Sequence, residues 1–199
     1  MTETRNAHLA GLRRAGIGLE VATLGWNGVG VVLLAILAVQ SSSVALLGFG
    51  LDSLIEIGAS VVVIWELTGT GEARQRRALR MIGWAFVVLA GYLLVQSIVA
   101  LVTAHRATPL VGGIAWTGVT ALVMFGLAVG KWRVGRALGN PVLIAEGRVT
   151  LIDGILATSV LAGILLDFTF GWWWADPAAG LVIVFYAVRE AMQIFREQA

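Results

Sequence analysis

The chain contains no cysteine, which excludes disulfides, thiolate metal sites and thiol catalysis. Charge is also scarce: Asp, Glu, Lys and Arg make up 13% of the 199 residues, against about a quarter in soluble domains. Histidine is limited to His8 and His105, both read as loop residues without partners. No HExxH signature and no Ser/His pair for hydrolysis lies within an apolar stretch. The GTG at 69–71 lacks the strand–loop–helix setting that a nucleotide loop needs. No cleavable signal peptide is evident, because the polar, basic stretch MTETRNAHLAGLRRA leads into an apolar run too long for a signal core. Net charge is only +2 and collects in Arg-rich loops, which speaks for membrane topology and against nucleic-acid binding.

What is abundant is apolar surface. Hydrophobic residues make up 58% of the chain, and mean hydropathy is +0.88. Several apolar runs reach the ~20 residues needed to cross about 30 Å of hydrocarbon. The 25 glycines suit helices that pack backbone to backbone in lipid. The expectation is an all-α membrane protein with six spans: about Ala15–Val39, Val44–Leu67, Met81–Ala104, Leu110–Gly130, Leu143–Phe170 and Ala178–Phe195. Residues 1–14 read as a short N-terminal segment, 15–195 as the transmembrane domain and 196–199 as the C-terminal end. Six spans place both termini on one side. That side collects every Lys and Arg except Arg106 and Arg148, and by the positive-inside rule it is cytoplasmic. Lys131, Arg133 and Arg136 are read as part of a basic cytoplasmic loop. Trp172, Trp173 and Trp174 then anchor the outer surface.

Against this background two carboxylates stand out. Asp52 and Glu56 lie inside the apolar run GFGLDSLIEIGASVVVIW, where an ionised carboxylate costs at least ~2.5–3.5 kcal/mol unless something compensates it. Their i, i+4 spacing puts both on one helical face, within reach of one ion. At about 1.5 Å per residue, Asp52 lies roughly 12–14 Å from the outer face, Glu56 roughly 18–20 Å, and Asp153 roughly 15 Å from the inner face. The three therefore converge in depth, with almost no buried base expected beside them, so a cation is the expected counter-charge. Asn27 reaches a similar level and offers a neutral oxygen. Glu20 and Glu146 lie nearer the cytoplasm and are read either as an acidic access path or as partners of Arg14 and Arg148. Ser53, Ser60 and Thr150 read as packing residues. Asp167 and Asp176 read as solvated or capping.

The stretches LLGFGLDSLIEIGAS, AEGRVTLIDGILA and GWWWADPAAGLVI resemble spans two and five and the entry to span six of the cation diffusion facilitator family. The resemblance implies a six-helix transporter bundle in which Asp52, Glu56 and Asp153 are metal ligands. Two departures stand out. Val149 occupies the position of the family's usual histidine, and the chain ends near Ala199, where typical members append a cytoplasmic domain. An all-oxygen site suits hard ions such as Mn²⁺, Mg²⁺ or Fe²⁺, while Zn²⁺ and Co²⁺ also bind carboxylates. The implied activity is efflux of a divalent metal ion by alternating access, with protons returning to the same carboxylates. The implied setting is the plasma or inner membrane, with lipid and a second copy of the chain, joined through the spans, as partners. No resident cofactor is expected. Two rivals remain: a non-transporting interaction or metal-sensing protein whose buried acids join helices, and an intramembrane acid–base enzyme.

Overall fold

A computed structural model describes residues 2–41, 44–69, 71–104 and 111–196. His105 and Arg106 fall outside these residues, as do the side chains of Arg5, Asp167 and Asp176. The described chain forms six helices: α1 (Thr2–Ser41), α2 (Val44–Leu67), α3 (Glu72–Thr103), α4 (Val111–Leu138), α5 (Pro141–Phe170) and α6 (Ala175–Arg196). They pair chiefly as α1 with α2, α3 with α6 and α4 with α5.

Helix boundaries correct the sequence reading in one consistent direction. α1 is helical from Thr2, α3 starts at Glu72 and α4 runs on to Leu138. In each case charged residues that look like loop continue the helix, because nothing in them stops it. Leu, Arg, Ala, Glu and Gln are good helix formers, and Gly and Pro are absent from EARQRRALR. The stop after α4 comes only at Gly139, whose φ of 63° is left-handed. Gly139 N–H donates to Arg136 O (3.1 Å) and Asn140 N–H to Gly135 O (2.9 Å). This bond pair closes the helix and satisfies its last carbonyls. Asn140 then caps α5: its Oδ1 accepts the Leu143 N–H at 2.9 Å, and Pro141 occupies the first helical position.

Each helix buries one stripe at three- and four-residue spacing. On α1 the stripe includes Gly16, Glu20, Thr23, Asn27, Gly30 and Leu34. On α5 it includes Glu146, Val149, Thr150, Asp153, Ala157 and Val160. The opposite faces carry exposed Val29, Val95, Leu122 and Phe185. Polar inside and apolar outside reverses the pattern of a water-soluble bundle, and so much exposed apolar surface belongs against lipid. Among the described residues, three helical stretches are long and apolar enough to cross a membrane: Ala7–Leu37, Glu72–Thr103 and Gly112–Leu138. α2 and α5 are apolar too, but each carries three charged residues in its described span-length stretch: Asp52, Glu56 and Glu66 on one, Glu146, Arg148 and Asp153 on the other. The protein is an integral membrane helical bundle.

The N-terminal part of α1, the α2–α3 turn and the α4–α5 turn meet at one end, around a cleft of about 390 Å³ lined by Arg13, Glu66, Glu72 and Asn140. The C-terminal part of α6 runs toward the same end, with Phe195 packed edge-on against Trp84, about three turns into α3 (ring centroids 5.8 Å apart). This is the near end of the bundle, and the opposite end is the far end.

Candidate functional site

Five acids from three helices converge in the bundle interior: Glu20 on α1, Asp52 and Glu56 on α2, and Glu146 and Asp153 on α5. All five are buried, none more than 3% exposed. Their placement follows from local spacing. Asp52 and Glu56 share a face of α2 at i, i+4, and Glu146, Thr150 and Asp153 share a face of α5. The tract divides into two regions with different partners.

In the near region the partner is Lys131, and here the sequence reading needs correction. Lys131 is not in a loop: it lies two helical turns inside α4 and is 0% exposed. Its Nζ donates to Glu146 Oε1 at 2.6 Å and to Thr150 Oγ1 at 2.9 Å. It also faces Glu20 Oε2 at 3.2 Å and Glu56 Oε1 at 4.0 Å. Thr150 Oγ1 stands 2.5 Å from Glu56 Oε1 and 3.2 Å from Glu146 Oε1. With a single hydroxyl proton, it is placed to donate to Glu56 across the shorter separation. Ser60 donates to Glu146 Oε1 at 3.3 Å. Ser60 and Thr150 therefore join the charged network, beyond the packing role expected of them. Ser53 instead donates back to Phe49 O of its own helix at 3.2 Å.

Glu20 and Glu146 do not pair with Arg14 or Arg148. Arg14 is exposed, and Arg148 binds Glu190 on α6 at 2.5 Å. A buried base does stand beside the acids, contrary to expectation. The signal that locates it is the first true helix stop, Gly139-Asn140-Pro141, which leaves Lys131 inside α4 on the face of buried Met124 and Ala128. Gly147 makes the contact possible. A Cβ there would stand 3.2 Å from Lys131 Cβ, so a larger residue would push α5 a few tenths of an ångström off the lysine stem.

The far region has no such partner. Asp52 and Asp153 face each other within electrostatic reach, and Glu56 acts on both. Among the described residues, no donor from outside the acids themselves reaches either oxygen of Asp153, Asp52 Oδ2 or Glu56 Oε2. The Tyr92 hydroxyl on α3, within reach of the Asp52 charge, is likewise unpartnered. Tyr92 escapes sequence reading because an aromatic in an apolar run carries no mark of its neighbours. Asn27 is buried, and its amide donates to Thr23 O of its own helix at 3.1 Å. No hydrogen bond joins it to an acid among the described residues. Among those residues, too, no three His, Asp or Glu side chains are gathered closely enough to enclose a metal ion. The acids share a tract rather than a finished coordination sphere: Lys131 draws Glu20 and Glu146 to itself, and like charges hold the others apart. Val149, at the position of the family's histidine, is buried.

Toward the near end the tract is closed. Gly16, one turn before Glu20, lies under Leu67, Leu143 and Val134, with Leu67 Cδ1 and Leu143 Cδ2 only 3.1 and 3.2 Å from where a Cβ would be. These apolar groups separate the acids from the cleft. At its rim, Asn140 Nδ2 donates to Glu66 Oε2 at 2.8 Å.

Residues 81–199 match the family profile described as the cation efflux transmembrane domain. That stretch holds Lys131, Glu146 and Asp153, while Asp52 and Glu56 precede it. An uncharacterized transporter of Synechocystis sp. is 24% identical over 205 aligned positions, covering 91% of this chain and 60% of the relative. Transmembrane protein 163 of Xenopus laevis is 23% identical over 185 positions, covering 85% of this chain and 65% of the relative. The chain thus spans less than two thirds of the length of either curated relative.

Proposed function

Because the chain belongs to the cation efflux family, we propose that it moves a divalent metal cation across a membrane, with Asp52, Glu56 and Asp153 as the ligands of the cargo ion. The observation that carries this reading is the far region: buried carboxylates from two helices, Asp52 and Asp153 with no base in contact and with oxygens that no donor satisfies among the described residues. Buried polar groups are nearly always paired, and buried charges are paired or coordinate metals. A divalent cation supplies what the chain does not. The donor set is all oxygen, with Val149 where a nitrogen ligand would stand, and it suits Mn²⁺ and other hard ions alongside Zn²⁺. Binding would draw the three carboxylates together, with Asn27 able to add a neutral oxygen from α1.

The cycle we propose is alternating access. The ion enters from the near end after Leu67, Leu143 and Val134 part over Gly16, and it passes Glu146 and Glu20 only when the Lys131 ammonium swings aside from them. It is held at the far carboxylates and leaves by the far side. Protons then return to those carboxylates and restore their charge balance. The basic residues at the near end support a cytoplasmic placement of both termini, and with it export from the cell across the plasma or inner membrane. A second copy of the chain, joined through the apolar helix faces, is the expected partner.

The test is metal uptake into everted vesicles carrying the protein, driven by an imposed pH gradient. Saturable uptake of Mn²⁺ or Zn²⁺ that is lost in Asp52→Asn and Asp153→Asn is expected. Uptake unchanged in both variants would sink the reading and favour interhelical bonding as the role of the acids.

A further inference from the structure

Around the Lys131 ammonium, four oxygens stand within 4.0 Å: Glu146 Oε1, Thr150 Oγ1, Glu20 Oε2 and Glu56 Oε1. They come from α1, α2 and α5, while the ammonium comes from α4. This is the donor set of an oxygen-lined cation site in which the cation belongs to the protein itself. Among the described residues, Glu20 Oε1, Glu56 Oε2 and Glu146 Oε2 have no hydrogen-bond partner, and Glu20 Oε2 is held by the ammonium's charge alone. Three carboxylates thus surround one ammonium, and all four side chains are at most 1% exposed. Lys131 reaches this position because Gly147 leaves room for its stem.

We infer that Lys131 is a tethered counter-cation that occupies the near half of the acidic tract and confines the cargo ion to the far half. The consequence for cargo rests on the proposed role of Asp52, Glu56 and Asp153, but the occupancy itself does not. A divalent ion seated between Glu20 and Glu146 would have to displace the ammonium or stand against its charge in a low-dielectric interior, where like charges repel strongly. On the far carboxylates the ammonium acts from farther off, at 4.0 Å from Glu56 and at longer range on Asp153, with no contact to Asp52 or Asp153. Lys131 thereby makes the tract a single-ion site and sets where the ion rests. Removing the ammonium leaves Glu20 and Glu146 buried without a counter-charge, a state that is resolved by taking up protons or another cation.

The experiment is Mn²⁺ binding to the purified full-length chain in detergent, read by equilibrium dialysis. The wild type is expected to bind about one ion per chain, and Lys131→Ala or Lys131→Met about two, since shortening or neutralising the side chain opens an oxygen-lined site. Adding Glu146→Gln to either variant should remove the extra ion, and Lys131→Arg should behave as the wild type. If the Lys131 variants co-elute with the wild type on size exclusion yet bind no more Mn²⁺ than it does, the inference is overturned. A wild type that binds no ion beside a Lys131→Ala variant that binds one would uphold this inference and sink the far-site reading. Should the Lys131 variants fail to fold, the triple variant Asp52→Asn, Glu56→Gln, Asp153→Asn decides with the lysine intact. Complete loss of Mn²⁺ binding is expected, and an ion still held there and removable by Glu146→Gln overturns the proposal.

Discussion

The near and far halves of the acidic tract are built from the same residue type and buried to the same degree, yet they are completed differently. In the near half, Lys131, Thr150 and Ser60 bind the carboxylates through the protein's own atoms. In the far half, both oxygens of Asp153, Oδ2 of Asp52 and Oε2 of Glu56 have no donor among the described residues, and no base stands in contact with Asp52 or Asp153 there. Burial alone therefore does not mark a ligand position. What separates the halves is the counter-charge: Glu20 and Glu146 also keep oxygens without a donor, but they share the Lys131 ammonium, and Thr150, linking Lys131 to Glu56, stands at the boundary between the two kinds.

The harshest way to break this comparison is to remove the ion pair from the near half. Lys131→Ala leaves glutamates uncompensated in the interior and should cost about 3–5 kcal/mol of stability, read as a large fall in the thermal unfolding midpoint in detergent. Lys131→Ala with Glu20→Gln and Glu146→Gln should recover most of it. No loss in the single variant would mean the near half is not held by charge.

A smaller change sharpens the far half. Val149→His places an imidazole on the α5 face between Glu146 and Asp153. A nitrogen ligand favours Zn²⁺, so the ratio of Zn²⁺ to Mn²⁺ affinity should rise by about tenfold, ~1.4 kcal/mol. An unchanged ratio would place Val149 away from the ion.

Smaller still is the effect at the rim. Asn140→Ala removes the α5 cap and the bond to Glu66 and should cost about 1 kcal/mol, with Mn²⁺ affinity unaltered. A matching loss of affinity would show that the near end shapes the far site. Smallest is Glu190→Gln, which breaks a partly exposed pair with Arg148. It should change stability by no more than about 1 kcal/mol.

Much of this arrangement is legible in the sequence, for reasons of cost. Asp52, Glu56 and Asp153 are conspicuous because lipid penalises them, and helical rise alone brings them to one depth. Six helices follow from six apolar runs. Lys131 is hidden for the opposite reason. It sits beside Trp132 and Arg133 at the end of an apolar run, where a basic residue looks inexpensive, and only the position of the Gly139 stop reveals that the helix carries it inward. For Glu20 and Glu146 the sequence leaves an access path or pairing with Arg14 and Arg148 open; the partner they take is Lys131, since pairing depends on helix neighbours that spacing does not disclose. Tyr92 and the coupling of Ser60 and Thr150 to the acids belong to the same class: contacts between helices, invisible along any one of them.

The division into a half compensated by Lys131 and a half without a base of its own is tested most directly by Mn²⁺ affinity of two purified variants measured side by side, Asp153→Asn and Glu20→Gln. The account predicts that Asp153→Asn weakens binding by about a hundredfold or more, ~3 kcal/mol, while Glu20→Gln changes it by no more than about threefold. Equal losses in the two variants, or the larger loss in Glu20→Gln, would contradict it.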